Sequence, residues 1–298
     1  MPSEPPTLSL IIITRNRREE LNKTLVSIKQ QDADFELVIV DNGSTDGTAD
    51  MVRVAYGGAV IIELAENEGV SGGRNRGLEA ARGDLLVFLD DDATFAAPDA
   101  LSRMRRRFMD GPELGILATN SYLTETGEPE RAAIPRRDKR IFVTDYESSY
   151  FCGVGFAVRR EVFEKVGSFF VPYIYGCEEL DFSWRAVDKG YRIVWAADIV
   201  VLHRRSMLER PQGRWIYSNA KNRVWLAARH LPWRYVVSHG VIWWSYLLWI
   251  AARNGLLGDY FKGVRDSLRG LPVILNQRKR LSDAAISVIR EKNGRLIC

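Results

Sequence analysis

The sequence predicts an α/β protein: a Rossmann-like, mostly parallel central sheet flanked by helices, with a helical C-terminal extension. Three observations lead there. Short apolar runs alternate with segments of helical periodicity through the first ninety residues. The links between them are short, as in βαβ units with right-handed crossovers. The runs also end in polar or acidic clusters: Thr14-Arg15-Asn16, Asp41-Asn42 and Asp90-Asp91-Asp92. Ligands of such sheets bind outside the carboxyl ends of the strands, so the three clusters are expected to converge on one crevice.

The elements follow in order. Residues 8–13 read as a first buried strand, and 18–31 as a helix with Leu21, Leu25 and Ile28 on one face. Residues 36–40 form a second strand. Residues 46–55 form a helix with Thr45 or Asp46 as N-cap, and 60–64 a third strand. A helix over 71–81 stops before Gly83, and 85–89 is a fourth strand, apolar throughout and so buried on both faces. Residues 111–139, rich in Gly, Pro, Glu and Arg, read as loops with a hairpin. A strand is expected over 151–158, helices over 160–166 and 179–188, and two short strands over 191–195 and 199–202, the second ending at His203. The domain reading is a catalytic unit over 1–210, with halves 1–110 and 111–210, and a helical region over 211–298.

The chain of 298 residues is 46% hydrophobic and 27% charged, which is ordinary globular composition. Cys152, Cys177 and Cys298 are odd in number and widely spaced, so they predict no disulfide framework and a reducing cytoplasm. Residues 1–7 are polar and Pro-rich and lack the features of a cleavable signal peptide. The net charge of +4 conceals an asymmetry. Residues 1–203 hold 24 Lys/Arg against 33 Asp/Glu, a net of −9, whereas 204–298 hold 18 against 5, a net of +13. Six of the eight tryptophans follow residue 204. A basic, Trp-rich tail predicts an anionic partner, membrane surface or nucleic acid.

Four segments carry chemistry. Three adjacent carboxylates after a buried strand repel one another and call for a bound positive charge. Oxygen ligands in that setting suit Mg²⁺ or Mn²⁺ holding substrate phosphates. A helix cap is the plainer reading, but one Asp would serve it. Asp41 at a strand end can accept from a base or a ribose hydroxyl. Asn67 to Asn75 offers small residues, helix N–H groups and Arg74 to a diphosphate, though Gly and Asn serve turns equally well. Glu178, Glu179 and Asp181 open a helix after aromatic residues. They read either as dipole complement or as acids whose setting suits a general base. His203 at a strand end can join carboxylates around a divalent metal.

Residues 41–48 (DNGSTDGT), 67–77, 83–92 and 178–181 closely resemble the family 2 glycosyltransferases, in order and with family-like spacing from about residue 8 to 203. The resemblance implies a GT-A fold and inversion at the anomeric centre, and within the family it looks most like the rhamnosyltransferase-like branch. It implies roles residue by residue. Thr14, Arg17 and Asp41 hold the nucleobase and ribose, with Arg15 and Asn67 also on the nucleotide-sugar side and Arg74 near the diphosphate. Asp90 and Asp92 match the metal-binding DxD, with Asp91 near the ribose or sugar. His203 matches a late metal ligand. Glu179 falls where the family places its base, often an Asp in a Glu-Asp pair. Here the pair is Glu178-Glu179, with Glu178 and Asp181 as alternatives.

The implied function is metal-dependent transfer of a sugar from a UDP- or dTDP-sugar to a hydroxyl of a glycan or lipid-linked acceptor. The expected location is the cytoplasm, peripheral on the inner face of the plasma membrane. A sugar-nucleotide-binding scaffold without turnover is the alternative, and the intact Asp90, Asp92, Glu179 and His203 weigh against it. A nucleotidyltransferase would not require the distal acids. Nucleic acid is not expected, because the tail's tryptophans sit in an apolar run rather than a reading motif. Residues 217–229 read as a helix. Residues 235–252 carry no Asp, Glu, Lys or Arg, and as a helix of about 27 Å they barely reach across a bilayer core of about 30 Å. A buried hairpin, an interfacial helix and a true span all compete for this segment, and pairing of two chains through these helices is a further possibility.

Overall fold

In a computed structural model describing residues 6–204, 212–294 and 296, the first part of the chain alternates as the periodicity predicts. β1 (Leu8–Thr14), α1 (Arg18–Ile28), β2 (Glu36–Asp41), α2 (Thr48–Ala55), β3 (Val60–Glu63), α3 (Gly69–Ala80) and β4 (Leu85–Leu89) follow one another. The period of two in each strand sends alternate side chains to opposite faces. Ile11, Val38, Leu86 and Phe88 enter one core, and Leu10, Ile12, Leu37, Ile39, Val87 and Leu89 the other. On α3, Gly73 and Gly77 are packing residues: a methyl at either would collide with the Ile13 or Ile11 side chain of β1. Their absence of a side chain is what lets α3 lie close enough to the sheet to present its next residues to the strand ends.

The second half departs from expectation in several places. β5 (Ala93–Phe95) and α4 (Ala100–Asp110) follow the acidic triplet, and β6 (Leu114–Leu123) occupies a stretch expected to be loop. β6 is central and buried, and its polar residues are satisfied internally. Thr119 Oγ1 donates to the Gly155 carbonyl at 2.8 Å and Asn120 Nδ2 to the Ala197 carbonyl at 3.0 Å. The hairpin in this region is present as a turn closed by Tyr122 and Pro129. β7 (Tyr146–Ser148) and β8 (Gly155–Arg159) come next, so residues 151–154 of the expected strand lie outside it. α5 (Arg160–Val166) and α6 (Glu178–Asp188) lead to β9 (Arg192–His203). The two short strands expected over 191–202 are this one strand, thrown out of register with β6 between Trp195 and Val200.

The sheet order is β3-β2-β1-β4-β8-β6-β9-β5, with β7 on β9. The β3-β2-β1-β4 half is parallel throughout. β8 enters antiparallel to both β4 and β6, and β6 pairs parallel with β9. The parallel half places the ends of β1, β2 and β4 together. The antiparallel pairing of β5 with β9 sets Ala93 opposite His203, which brings the imidazole back to the acidic triplet.

The C-terminal region contains α7 (Gln212–His230), α8 (Trp233–Arg253), α9 (Leu257–Asn276) and α10 (Asp283–Glu291). It shares a core with the rest of the chain: Trp225, Leu226, Ile286 and Ile289 pack in one cluster with Phe151, Phe182 and Trp184. The Asn222 amide nitrogen lies within 3.0 Å of the Tyr173, Tyr175 and Gly176 carbonyls, fastening α7 to the loop before α6. The expected boundary near residue 210 and Cys298 lie outside the described residues. α8 has the length and composition to cross a membrane, but it is packed on one side only.

Candidate active site

The end of β4 delivers the acidic triplet. Asp90, Asp92 and His203 bring ligand atoms within 4.8 Å of one another, the one such group among the described residues. His203 Nε2 lies 3.2 Å from Asp92 Oδ1, and His203 Nδ1 lies 2.8 Å from Glu130 Oε2. Burial works against charge on His203, but Asp92 and Glu130 overcome it and lift its pKa to about 10. Two carboxylates and an imidazole are a donor set for Mn²⁺ or Mg²⁺, and the imidazole inclines it toward the transition metal. The residues present fit a divalent cation, which would take the place of the imidazole's proton beside Asp90 and Asp92.

Glu130 completes this arrangement and has no signature in the sequence. The turn closed by Tyr122 and Pro129 folds it back so that its N–H donates to the Ser121 carbonyl, and its carboxylate accepts from Ser121 Oγ at 2.7 Å. It holds the imidazole by one nitrogen and aims the other at Asp92, the arrangement by which carboxylates orient metal-ligating histidines. Arg17, expected at the nucleobase, bridges Asp91 and Asp92 at 3.0 and 2.6 Å. Burial lifts Asp91 to about 6 despite that contact. For Asp92 burial also opposes the charge, but His203 and Arg17 prevail and its pKa falls below the usual range.

Arg74 is the second centre. It is buried on α3, with its guanidinium 5.3 and 5.6 Å from the Phe156 and Phe169 rings. Nη1 lies 2.9 Å from Glu179 Oε1 and 3.9 Å from Glu178 Oε1, while Nη2 lies 3.8 Å from Asp90 Oδ1 and donates to the Gly153 carbonyl at 3.2 Å. Burial opposes its charge, and the three carboxylates outweigh that and raise its pKa. Glu178 and Glu179 open α6, where the helix dipole favours acids. One arginine therefore ties the DxD end of β4 to the acids of α6.

Asp181, an alternative base, is turned the other way. It is fully buried, with Arg185 Nε, Arg229 Nη1 and His230 Nε2 each at 2.8 Å. One helical turn separates it from the cavity that Glu178 and Glu179 line. Its carboxylate joins α6 to α7 and is not placed to meet a substrate. Asp41 is buried at the end of β2, its Oδ1 accepting from the Ser44 N–H at 2.8 Å in the turn that follows.

Two adjoining cavities meet at Arg74, Asp90 and Val70. One, of about 360 Å³, is lined by Thr14, Arg15, Arg17, Asn67 and Asp91, joined by Asn42 and Arg214. The other, of about 280 Å³, is lined by Glu178, Glu179, Glu130, His203 and Gly153, joined by Trp215, Asn219 and Arg223 of α7. Apart from Asp41, Asp92 and Asp181, every candidate site residue lines one of the two. The α7 residues had no motif to mark them beyond the charge and tryptophan content of the tail.

A family model described as glycosyl transferase family 2 matches residues 9–167. Glycosyltransferase AglE of Haloferax volcanii is 29% identical over 213 residues, covering 68% of this chain and 68% of that protein. An uncharacterized glycosyltransferase of Bacillus subtilis, YfnE, is 40% identical over 99 residues, covering 32% of this chain and 25% of that protein. This chain therefore spans only a quarter of the length of one curated relative and about two thirds of another. Among solved structures, the mannosyltransferase PcManGT from Pyrobaculum calidifontis, in complex with GDP-Man and Mn²⁺, superimposes with a TM-score of 0.60. It shares 20% identity over 98% of this chain and 88% of its own. GalNAc-T7 with UDP, GalNAc and Mn²⁺ gives 0.64 at 18% identity over 80% and 50%.

Proposed function

Given that the chain belongs to glycosyltransferase family 2 and has a GT-A fold with a helical C-terminal region, we propose that it transfers a sugar from a UDP- or dTDP-sugar to a hydroxyl acceptor with inversion. The donor class is a hexose or deoxyhexose, as in the rhamnosyltransferase-like branch. The acceptor is a glycan or lipid-linked intermediate, used in the cytoplasm at the inner face of the plasma membrane. One observation carries the reading: Arg74 lies between Asp90 of the DxD and Glu179 where the two cavities meet. That is the geometry needed to set a donor's anomeric carbon against an acceptor hydroxyl.

In this scheme the nucleotide occupies the cavity of Thr14, Arg15, Arg17 and Asn67, with Asp91 toward the ribose or sugar. Asp90, Asp92 and His203 would hold Mn²⁺ or Mg²⁺, which when bound stabilises the charge developing on the diphosphate leaving group. Glu179 takes the proton of the acceptor hydroxyl as that oxygen attacks from the face opposite the leaving group. Glu178, next to it and buried, adds to the negative field around Arg74. A single displacement needs no enzyme nucleophile and inverts configuration.

The test is the anomeric configuration of the first-formed product, read by proton NMR after a donor panel with Mn²⁺ or Mg²⁺ has identified the sugar nucleotide consumed. Inverted product supports the scheme; retained configuration overturns it.

A further inference from the structure

α8 and α9 present an outward apolar face. Residues 235–252 hold no Asp, Glu, Lys or Arg, yet on α8 only Tyr235, Val236, His239, Leu247 and Ala251 are buried. Val237, Val241 and Trp249 are 65%, 63% and 56% exposed. On α9, Leu257, Phe261 and Leu268 are exposed, and their spacing puts them in one stripe. Lys262, Arg265 and Arg269 fall along one side of that stripe, with Arg265 Nε 2.9 Å from Asp266 Oδ1 and the Lys262 ammonium 5.4 Å from the Tyr217 ring of α7. The helix's two acids are directed toward α7: Asp266 accepts from Tyr217 OH at 3.0 Å and Asp259 lies against Gly213. An apolar groove of about 430 Å³ opens on the same helices, lined by Val237, Val241, Trp244, Leu248 and Tyr260.

We propose that this α8–α9 face docks in the plane of an anionic bilayer, its apolar side chains in the headgroup boundary and its cations on lipid phosphates. This deepens the peripheral placement proposed above by assigning it a surface. An apolar stripe bordered by Lys and Arg is the pattern of an interfacial helix. A second copy is the poorer occupant, because among the described residues the same face offers the basic border no free carboxylate: Asp266 is held by Tyr217 and Arg265, and Asp259 lies against Gly213. A span is also the poorer fit, because α9 carries five charged residues and α8 keeps one side on its neighbours. α7 links the docked face to the site. Its Trp215, Asn219 and Arg223 line the catalytic cavity, and the Arg223 guanidinium stacks 4.1 Å above the Trp243 ring of α8. The acceptor class that this adjacency fits is a lipid-anchored one, a step that rests on the transferase reading.

The experiment is co-flotation of the full chain with vesicles of phosphatidylcholine containing phosphatidylglycerol, against phosphatidylcholine alone. Preferential flotation with the anionic vesicles, weakened by salt and released by carbonate, is expected. Lys262→Gln with Arg269→Gln should weaken binding about thirty-fold, at the usual increment for each basic residue near an anionic surface. Phe261→Asp with Leu268→Asp should abolish it while the Mn²⁺–nucleotide titration stays at the wild-type value, which certifies the fold. No flotation with anionic vesicles overturns both this surface and the peripheral placement. Flotation that both pairs of substitutions leave unchanged overturns the surface alone. Resistance to carbonate, or a dimer that the same substitutions dissolve without any vesicle binding, also overturns it. Flotation needs no turnover, so sugar transfer and docking fail or stand separately.

Discussion

Nη1 of Arg74 lies 2.9 Å from Oε1 of Glu179, inside a pocket where the same guanidinium stands 3.8 Å from Asp90. The two acids belong to distant segments, one at the end of β4 and one at the start of α6. A buried cation between them sets their separation and orients the Glu179 carboxylate. In the proposed scheme it also couples the donor side of the site to the acceptor side, because a diphosphate near Asp90 and an acceptor near Glu179 would both lie beside it.

Glu179→Gln removes the proposed proton acceptor while keeping the shape of the side chain and its contact with Arg74. Transfer should fall by about 10²–10⁴-fold, the usual contribution of a positioned base. Donor affinity should stay within about three-fold, since no donor-side ligand is touched. Steady-state rates beside a nucleotide-sugar titration measure the two separately. Equal losses in both would assign Glu179 to binding.

Replacing Arg74 by Leu leaves Glu178, Glu179 and Asp90 facing one another without their shared cation. Breaking a buried ion pair by removing one partner costs about 3–5 kcal/mol, so urea unfolding should show a loss of that order. Arg74→Lys should recover only part of it. An ammonium cannot reach Glu179 and the Gly153 carbonyl with a planar fork.

Chelation of divalent metal should abolish turnover, and Mn²⁺ should restore it better than Mg²⁺, given one imidazole in the donor set. Glu130→Gln keeps the three candidate ligands but weakens the hold on His203 Nδ1. Mn²⁺ affinity, measured by calorimetry in the presence of the nucleoside diphosphate, should fall about 10–100-fold, as when other second partners of ligating histidines are lost. An unchanged affinity would detach Glu130 from the metal site.

Much of the parallel half was legible because burial on both faces writes itself as unbroken apolar runs, and its strand ends advertise their chemistry. β6 was not legible. Its Thr119, Asn120 and Ser121 dilute the apolar signal, and only the finished fold supplies the partners that make them tolerable inside. α4 did leave a signal, with Leu101, Met104 and Phe108 buried at helical spacing among four arginines. Asp181 sits in the acidic opening of α6 and Glu130 in a loop that also holds Glu125 and Glu128, and neither setting marks its role. What separates an anchor for α7 from a partner of His203 is which distant segment folds back onto each, and no local pattern records that.

The Asp181 carboxylate makes stability depend on pH in acid. It faces Arg185 on its own helix, Arg229 and His230 on α7, and Tyr173 and Cys177 from the preceding loop. Burial opposes its charge, but Arg185, His230 and Arg229 hold its pKa well below the ordinary carboxyl value of about 4. A carboxyl depressed in the folded state adds stability that is complete above its unfolded value and drains away as the pH falls toward the folded one. Asp181→Asn should therefore cost about 3–5 kcal/mol near neutrality, as for other broken buried pairs. The gap between variant and wild type should narrow below about pH 4. Denaturant unfolding across that range measures it, and a gap independent of pH would assign the loss to packing alone.

Gly153 lines the cavity of Glu178 and Glu179, and its missing side chain is what admits the Arg74–Glu179 pair. A methyl group built there meets Glu179 Oε1 and Arg74 Nη2. Both are the far ends of side chains, so the chain can fold by moving them, and the cost falls on their alignment rather than on the core. Gly153→Ala should leave the unfolding midpoint within a few degrees of wild type, as expected for a loss of about 1 kcal/mol or less. Misplacing a reacting group by about 1 Å can cost 10²-fold, so the rate of transfer should fall by at least ten-fold. Retention of full activity would show that the pair adjusts freely, and Arg74 would then no longer account for the orientation of Glu179.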